Sequence, residues 1–274
     1  MTFKNILVAY NASQSSQSAL GYSTMMAKAY TAHLTGVLTR GLPKMLYAYG
    51  DYFPQLAMQQ IEEADREHRA EIKTAFESAT ISMNTHMVHY LDKFGEADQK
   101  LLEIGRAFDV IIMGVEDREN YYQHMEVHPD IIARNAGRPV LVVPKNYSAI
   151  RIPKRIALAW DGRRAAARAL AEAMPFLDDT SELTLINISN DEDFTTTIQP
   201  VITHLARHGI TAKAIQKPHK IGSVTKILLE TLSQTNAELL VMGAYEHSKL
   251  AEDLFGGVTN TVLAKSEIPV FLSH

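Results

Sequence analysis

The fold is decided by the stretch 237–243, AELLVMG, together with 255–259, FGGVT, further along the chain. An almost wholly apolar run of this length predicts a buried strand, and Gly243 at its end predicts a turn. The glycine pair at 256–257 precedes a segment that begins with Val258 and predicts a short helix. Glycine lets a backbone come close to a ligand, and the free N–H groups at a helix N-terminus attract phosphate. The stretch therefore predicts a strand, a turn and a helix N-terminus that together form a phosphate cradle.

The chain also contains its own repeat. Residues 5–12, NILVAYNA, return as 155–162, RIALAWDG, at a distance of 150 residues. Two further segments return in the second half: 108–114 as 238–243, and 138–143 as 268–273. A repeat this long indicates a duplicated domain, because the units of solenoid proteins are only roughly 20–50 residues long.

Length and composition agree with two compact domains. The chain has 274 residues, and each half is large enough to bury a core without metals or disulfides. It has no cysteine, which excludes disulfides, thiolate catalysis and cysteine-ligated zinc. We expect domains at 1–146 and 152–274, divided within the polar, proline-flanked stretch 145–154.

Charge and hydropathy limit the partners. The net charge is −4 and neither half has a basic stripe, so we do not expect nucleic acid to bind. No apolar run approaches the roughly 20 residues that span a bilayer, and no secretory signal precedes the first strand. We therefore expect a cytoplasmic protein that does not associate with membranes.

Strand and helix patterns alternate through each half. Short strands that are apolar almost throughout indicate sheets covered on both faces. In the second half the expected strands are 155–160, 182–188, 211–217, 237–242 and 269–273, and the expected helices are 163–174, 195–208, 222–236 and 258–266. This order predicts an α/β fold of two tandem doubly wound domains, each with a five-stranded, mainly parallel sheet and right-handed crossovers.

The first half differs by an enlarged second helix. A loop at 41–53 that contains Tyr, Gly and Pro leads into a long, charged, amphipathic helix at 55–79. Such an insert would cover a ligand site or contact a partner, or it would be a solvated helix packed on the sheet.

The glycine pattern resembles that of the universal stress protein family, whose nucleotide-binding members carry G-x2-G-x9-G-[ST] at this place. The first and third glycines fall on Gly243 and Gly256, whereas Glu246 takes the second position and Gly257 the Ser/Thr position. The resemblance covers nearly the whole chain and is strongest to a bacterial tandem subgroup. It implies Rossmann-like domains of the adenine nucleotide alpha hydrolase type. It also implies a stress-response protein that binds ATP or another adenine nucleotide, with or without Mg²⁺.

The expected site lies in the second half. Open parallel sheets bind ligands beyond the C-terminal ends of their strands, where the strand order reverses. The resemblance implies that Asp161 contacts the adenine or ribose and that the backbone near Ile188 lines the base pocket. Taken alone, Asp161 and Gly162 would equally form a turn and a helix cap. The expected nucleotide-binding residues are Ala159, Trp160, Asp161, Gly162, Ile188, Gly243, His247, Ser248, Gly256, Gly257, Val258 and Thr259.

Two features oppose nucleotide binding. Glu246 places a carboxylate beside the expected triphosphate, which it repels unless a cation intervenes or the side chain turns outward. In the first half, Asn11 replaces the acidic residue, and the loop that follows Gly114 carries several acidic side chains. We therefore expect the first site to be degenerate. Four side chains of this loop are expected to form a packed aromatic loop with polar tips: Tyr121, Tyr122, His124 and His128.

No catalytic residue is expected. The chain contains no nucleophile elbow, P-loop or HExxH motif. His204 and His208 lie one helical turn apart and could share a metal, but no third ligand is recognisable. Three hypotheses stay open: a nucleotide-binding regulator, a slow ATP hydrolase or phosphoryl-transfer enzyme, and a ligand-free interaction scaffold. The apolar strand near residues 270–272 is expected to pair across a two-fold relation, giving a pseudo-dimer of the two domains or a homodimer.

Overall fold

The structure is a computed structural model that describes six stretches of the chain: residues 2–42, 54–116, 122–190, 192–219, 224–244 and 257–274. The first half contains β1 (Asn5–Ala9), α1 (Gln14–Tyr30), β2 (His33–Arg40), α2 (Gln55–Thr80), β3 (Val88–Phe94), α3 (Ala97–Gly105), β4 (Val110–Gly114), α4 (Pro129–Asn135) and β5 (Val140–Val143). The second half contains β6 (Arg155–Ala159), α5 (Arg164–Ala173), β7 (Glu182–Ile188), α6 (Phe194–Arg207), β8 (Thr211–Lys217), α7 (Val224–Gln234), β9 (Leu239–Gly243), α8 (Val258–Lys265) and β10 (Val270–Ser273). Short 3₁₀ turns occur at Thr85–Met87, Gln123–Met125 and Met174–Phe176.

The predicted α/β class and the doubly wound plan are confirmed. The five strands and four helices expected in the second half all occur, and their ends lie within two residues of the expected ones. The long helix of the first half is α2, which ends at Thr80. Most of the loop expected before it, from residue 43 to 53, lies outside the described residues.

The ten strands form one continuous sheet in the order β3-β2-β1-β4-β5-β10-β9-β6-β7-β8. Among the described residues, neighbouring strands are parallel within each half, and only the central pair, β5 and β10, is antiparallel. The strand order reverses between β1 and β4 in the first half, and between β6 and β9 in the second. Because β5 and β10 run in opposite directions, the C-terminal ends of the two sets of strands lie at opposite edges of the sheet.

The central pair joins the halves through three residue pairs, of which the middle one is Leu141 with Phe271. The Phe271 ring also packs edge-on against the Phe176 ring, at a centroid distance of 5.5 Å. Phe176 in turn contacts Phe3 of the first half at 5.0 Å. The hydroxyl of Tyr30 donates a hydrogen bond of 3.1 Å to the carbonyl of Pro175. Both backbone pairing and aromatic packing therefore hold the two halves together.

The eight inner strands each supply two cores, one on each face of the sheet. In β1, Ile6 and Val8 join the cluster on one face, whereas Leu7 and Ala9 join the cluster on the other. Successive side chains of a strand point to opposite faces, so a strand covered on both faces is apolar at every position. Burying each such side chain contributes roughly 1.5–3 kcal/mol.

The inserted helix α2 contributes to the hydrophobic core through its C-terminal half. Ile72 and Phe76 are buried there, and the Phe76 ring lies where a side chain at Gly36 of β2 would be. The N-terminal half, which includes Leu56, is largely exposed. The interpretation as a solvated helix packed on the sheet therefore applies to the C-terminal half of α2.

Candidate functional site

The loops after β6 and β7 meet β9 at the switch point of the second half. Ala159, the last residue of β6, pairs with Met242 of β9 on one side and Ile186 of β7 on the other. Trp160 donates its N–H to the carbonyl of Ile186 at 2.8 Å, and the Asn187 side chain donates to the carbonyl of Trp160 at 2.9 Å. These bonds fix the end of β6 against β7, so the described site residues 159–162, Ile188 and Gly243 are at the same edge of the sheet.

Asp161 begins the turn into α5. One of its carboxylate oxygens accepts the N–H of Arg163 at 3.0 Å, and the other lies 3.9 Å from the Arg163 guanidinium. The side chain is still 56% exposed, and the following Gly162 has a positive φ of 74°. Asp161 therefore caps a turn as its sequence also suggested, and its carboxylate faces solvent at the edge where β6 ends.

Gly243 is required by helix packing. A Cβ at this position would lie 2.7 Å from the Ala165 carbonyl carbon and 2.8 Å from the Ala166 nitrogen, at the start of α5. Gly114 has the equivalent place in the first half, where a Cβ would lie 2.5 Å from the carbonyl carbon of Ser15 in α1. The repeated glycine lets the last residue of the strand contact the first turn of a helix, whether or not a ligand is bound.

Helix α8 begins at the same edge. Its N-cap residue, Gly257, has a φ of +24°, in the region that favours glycine, and has no side chain to cap the helix. The N–H groups of a first helical turn have no partner within the helix, and the helix dipole adds partial positive charge there. Thr259 in this first turn is buried. The predicted residues His247, Ser248 and Gly256, and the discordant Glu246, lie outside the described residues.

The corresponding cleft of the first half is filled. Met125 and Glu126 line it together with Asn11, and the remaining cavity is about 20 Å³, room for about one water-sized sphere. Glu126 accepts a hydrogen bond of 3.0 Å from the Asn11 side chain. Sequence reasoning recognised the acidic side chains of this loop and predicted a degenerate site, but it did not predict that Met125 and Glu126 enter the cleft.

The polar tips of the aromatic loop contact neighbouring helices. Tyr122 stacks on His68 of α2 at 3.8 Å, and Tyr121 lies outside the described residues. His128 donates from its Nδ1 atom to the buried carboxylate of Asp98 at 2.8 Å, and its backbone N–H donates to the other oxygen at 2.8 Å. Partial burial lowers the pKa of His128, but the hydrogen bond and the charge of Asp98 outweigh it, so the pKa is raised.

Two pairs of histidines lie close together in the structure. His204 and His208 lie with their rings 4.8 Å apart, but no group of three or more potential ligands occurs among the residues that the structure describes. Sequence reasoning missed one further pair, His33 and His89, whose ring nitrogens are 3.2 Å apart on neighbouring strands. Within the described ranges, no helix is both long and apolar enough to cross a membrane.

The sequence model of the universal stress protein family matches residues 2–144 and again 153–274. The chain belongs to this family. A universal stress protein of Synechocystis is 26% identical over 192 residues, which are 67% of this chain and 64% of that relative, so less than two thirds of the relative is spanned.

Two solved structures share the architecture over almost the full length. A universal stress protein of Archaeoglobus fulgidus has a TM-score of 0.70 at 16% identity, covering 99% of this chain and 97% of its own. A functionally unknown protein of Pseudomonas aeruginosa has a TM-score of 0.57 at 17% identity, covering 99% and 92%. At these identities the likeness shows the fold, here two tandem universal stress protein domains.

Proposed function

We propose that this universal stress protein binds an adenine nucleotide, ATP or ADP, in the cleft of its second domain. The bound state would regulate a stress response through a partner protein. The observation that carries the proposal is the convergence of Asp161 and the α8 N-terminus at one sheet edge, beside the switch point between β6 and β9. An exposed carboxylate suits ribose hydroxyls, and a helix N-terminus suits phosphate.

The contrast between the two clefts supports a single ligand per chain. In the first domain the space beyond β1 and β4 is taken by Met125 and Glu126. In the second domain, Asp161 at the equivalent edge is exposed. We therefore assign the ligand to the second domain, with 159–162, Ile188, Gly243, His247, Ser248 and 256–259 as the proposed contacts.

We also propose that domains 1–146 and 152–274 act as an intramolecular pseudo-dimer. The antiparallel pairing of β5 with β10 and the packing of Phe176 against Phe271 support this arrangement. Such an arrangement places two equivalent surfaces about a local two-fold axis. A single chain, in the cytoplasm, would then pass the regulatory signal from its second domain to a partner protein.

Isothermal titration of the full chain with ATP and ADP, with and without Mg²⁺, tests the proposal. We expect one nucleotide per chain, weakened by Asp161→Ala and unchanged by the matched first-domain variant Asn11→Ala. A stoichiometry near two, or equal loss in both variants, would contradict it. ADP formation from ATP that disappears in Asp161→Ala would favour the hydrolase alternative, and no binding at all would favour the scaffold.

A further inference from the structure

We propose that the extra turns of helix α2 form a latch that holds the segment 123–127 in the first cleft. The cleft of the first domain is then kept closed by a segment of the same chain. This inference concerns the cleft opposite the proposed nucleotide site and does not depend on nucleotide binding.

The segment fits the cleft as an internal occupant. The Met125 side chain is 2% exposed and joins the core on one face of the sheet, in the same cluster as Tyr10. The next residue, Glu126, is 9% exposed and accepts the hydrogen bond from Asn11. An apolar side chain and a carboxylate thus occupy the switch point where the strands of this half offer room for a ligand.

His124 connects this segment to α2. Its Nε2 atom donates to Asp65 of α2 at 2.9 Å, and the two side chains are only 8% and 13% exposed. Its carbonyl accepts the N–H of Gly41, just after β2, at 2.8 Å. One residue is therefore fixed from both sides, and Met125 and Glu126 follow it directly in the chain.

Asp65 is itself held in place by arginines. Arg69 lies 3.2 Å from Asp65 and also donates to Asp92 of β3 at 3.0 Å. Arg40 at the end of β2 lies 4.0 Å from Asp65 and donates to Asp92 at 2.8 Å. These alternating charges tie α2 to the ends of β2 and β3, so the carboxylate that receives His124 has a fixed position. Charge-assisted hydrogen bonds in such partly buried networks are stronger than isolated surface pairs.

The latch belongs to the part of α2 that the second domain lacks. The helices before the third strand of each half are α2, with 26 residues, and α6, with 14. When their C-terminal ends are aligned, the first 12 residues of α2, 55–66, have no counterpart in α6. Asp65 lies within this extra part. The insertion and the filled cleft therefore occur in the same domain and are joined by the contact of His124 with Asp65, beside which Tyr122 stacks on His68 of α2.

Methionine oxidation of the full chain measures the latch directly, because sulfoxide formation requires peroxide to reach the sulfur. The wild type and His124→Ala are exposed to hydrogen peroxide, and each methionine is followed by peptide mass spectrometry. Met58, 39% exposed on α2, reports full access, and the fully buried Met26 of α1 reports global opening. His86→Ala, in an exposed turn of the same domain, is the matched control.

In His124→Ala we expect Met125 to oxidise about tenfold faster than in the wild type, since losing one charge-assisted hydrogen bond raises local opening by about that factor. Met26 and the His86→Ala variant should show wild-type rates. Asp65→Ala should accelerate Met125 oxidation similarly, and the double variant should add little. An unchanged Met125 rate overturns the latch. Equal acceleration of Met125 and Met26 overturns it too, because the contact would then hold the whole domain.

Discussion

Asn11 and Glu126 close the first cleft: the Asn11 side-chain nitrogen lies 3.0 Å from a Glu126 carboxylate oxygen. Asn11 takes the place after β1 that Asp161 takes after β6, so the duplicated position is used in two ways. In the first domain it binds a side chain of the same chain, and in the second its carboxylate is exposed. An amide donates to a carboxylate, whereas a second carboxylate would repel it.

Gly243→Ala should destabilise the protein by about 1–3 kcal/mol, because the added Cβ would overlap the backbone at the start of α5. Gly21→Ala is the matched control, since a Cβ there, inside α1, meets no atom within 4 Å. That control should be neutral or stabilising by up to about 1 kcal/mol, because alanine favours helix. Urea unfolding measures both, and equal stability of the two variants would contradict the packing role of Gly243.

Met125→Ala should cost about 2–5 kcal/mol of unfolding free energy, because the side chain is buried in the first cleft and its loss leaves a cavity. The comparison is Met58→Ala, at an exposed position of α2, which should change stability by no more than about 0.5 kcal/mol. The measurement is again urea unfolding. A cost for Met125→Ala as small as that of the control would mean that the cleft is not packed around this side chain.

Glu238→Gln should destabilise the second domain by about 1–3 kcal/mol, because the carboxylate accepts the backbone N–H groups of Lys154 and Arg155 and pairs with Arg151. Partial burial raises the pKa of Glu238, but these hydrogen bonds and arginine charges outweigh it and hold the pKa below its ordinary value. A lowered pKa gives stability that is present above the unfolded value and is lost as pH falls through the folded value. Glu238→Gln should therefore not show this loss of stability as the pH falls, whereas Glu230→Gln, at an exposed site, should show it.

His128→Gln should change the pH dependence of stability on the neutral side. The raised pKa of His128 means that its contribution is fully present below the unfolded pKa of about 6.5 and is lost as pH rises through the folded pKa. The free energy of urea unfolding of the wild type should therefore be lower at about pH 8 than at about pH 6. This decrease should be smaller in the variant. His86→Gln should retain the wild-type decrease, and an identical decrease in His128→Gln would exclude the His128–Asp98 pair as its source.

Glu246→Gly should tighten ATP binding more than adenosine binding, a prediction that rests on the proposed function and on sequence alone. Removing a like charge near the phosphates should gain about 1 kcal/mol, several-fold in affinity, and the gain should shrink in high salt. Isothermal titration provides the measurement, with Glu267→Gln as a control for the general loss of one negative charge. Equal ATP affinity of wild type and variant at low salt would place this carboxylate away from the phosphates.

The sequence by itself determined the fold class, the duplication and the strand positions. Apolar runs such as 156–159 and the strand–glycine ends at Gly114 and Gly243 are local patterns, and local patterns set secondary structure wherever they repeat. The return of 5–12 as 155–162 after 150 residues, and of Gly114 as Gly243, was enough to infer two domains of one kind. The alternating order of strands and helices then predicted a doubly wound sheet with right-handed crossovers.

Only the tertiary structure decided how the halves join and what fills the first cleft. The junction of the two halves depends on the antiparallel pairing of β5 with β10, in which Leu141 lies opposite Phe271. No local pattern specifies that register. His124 meets Asp65 across 59 residues of sequence, and Asn11 meets Glu126 across 115. Contacts at such separations are fixed by which surfaces pack together, so they exist only once the sheet has brought the strand ends and the inserted helix side by side.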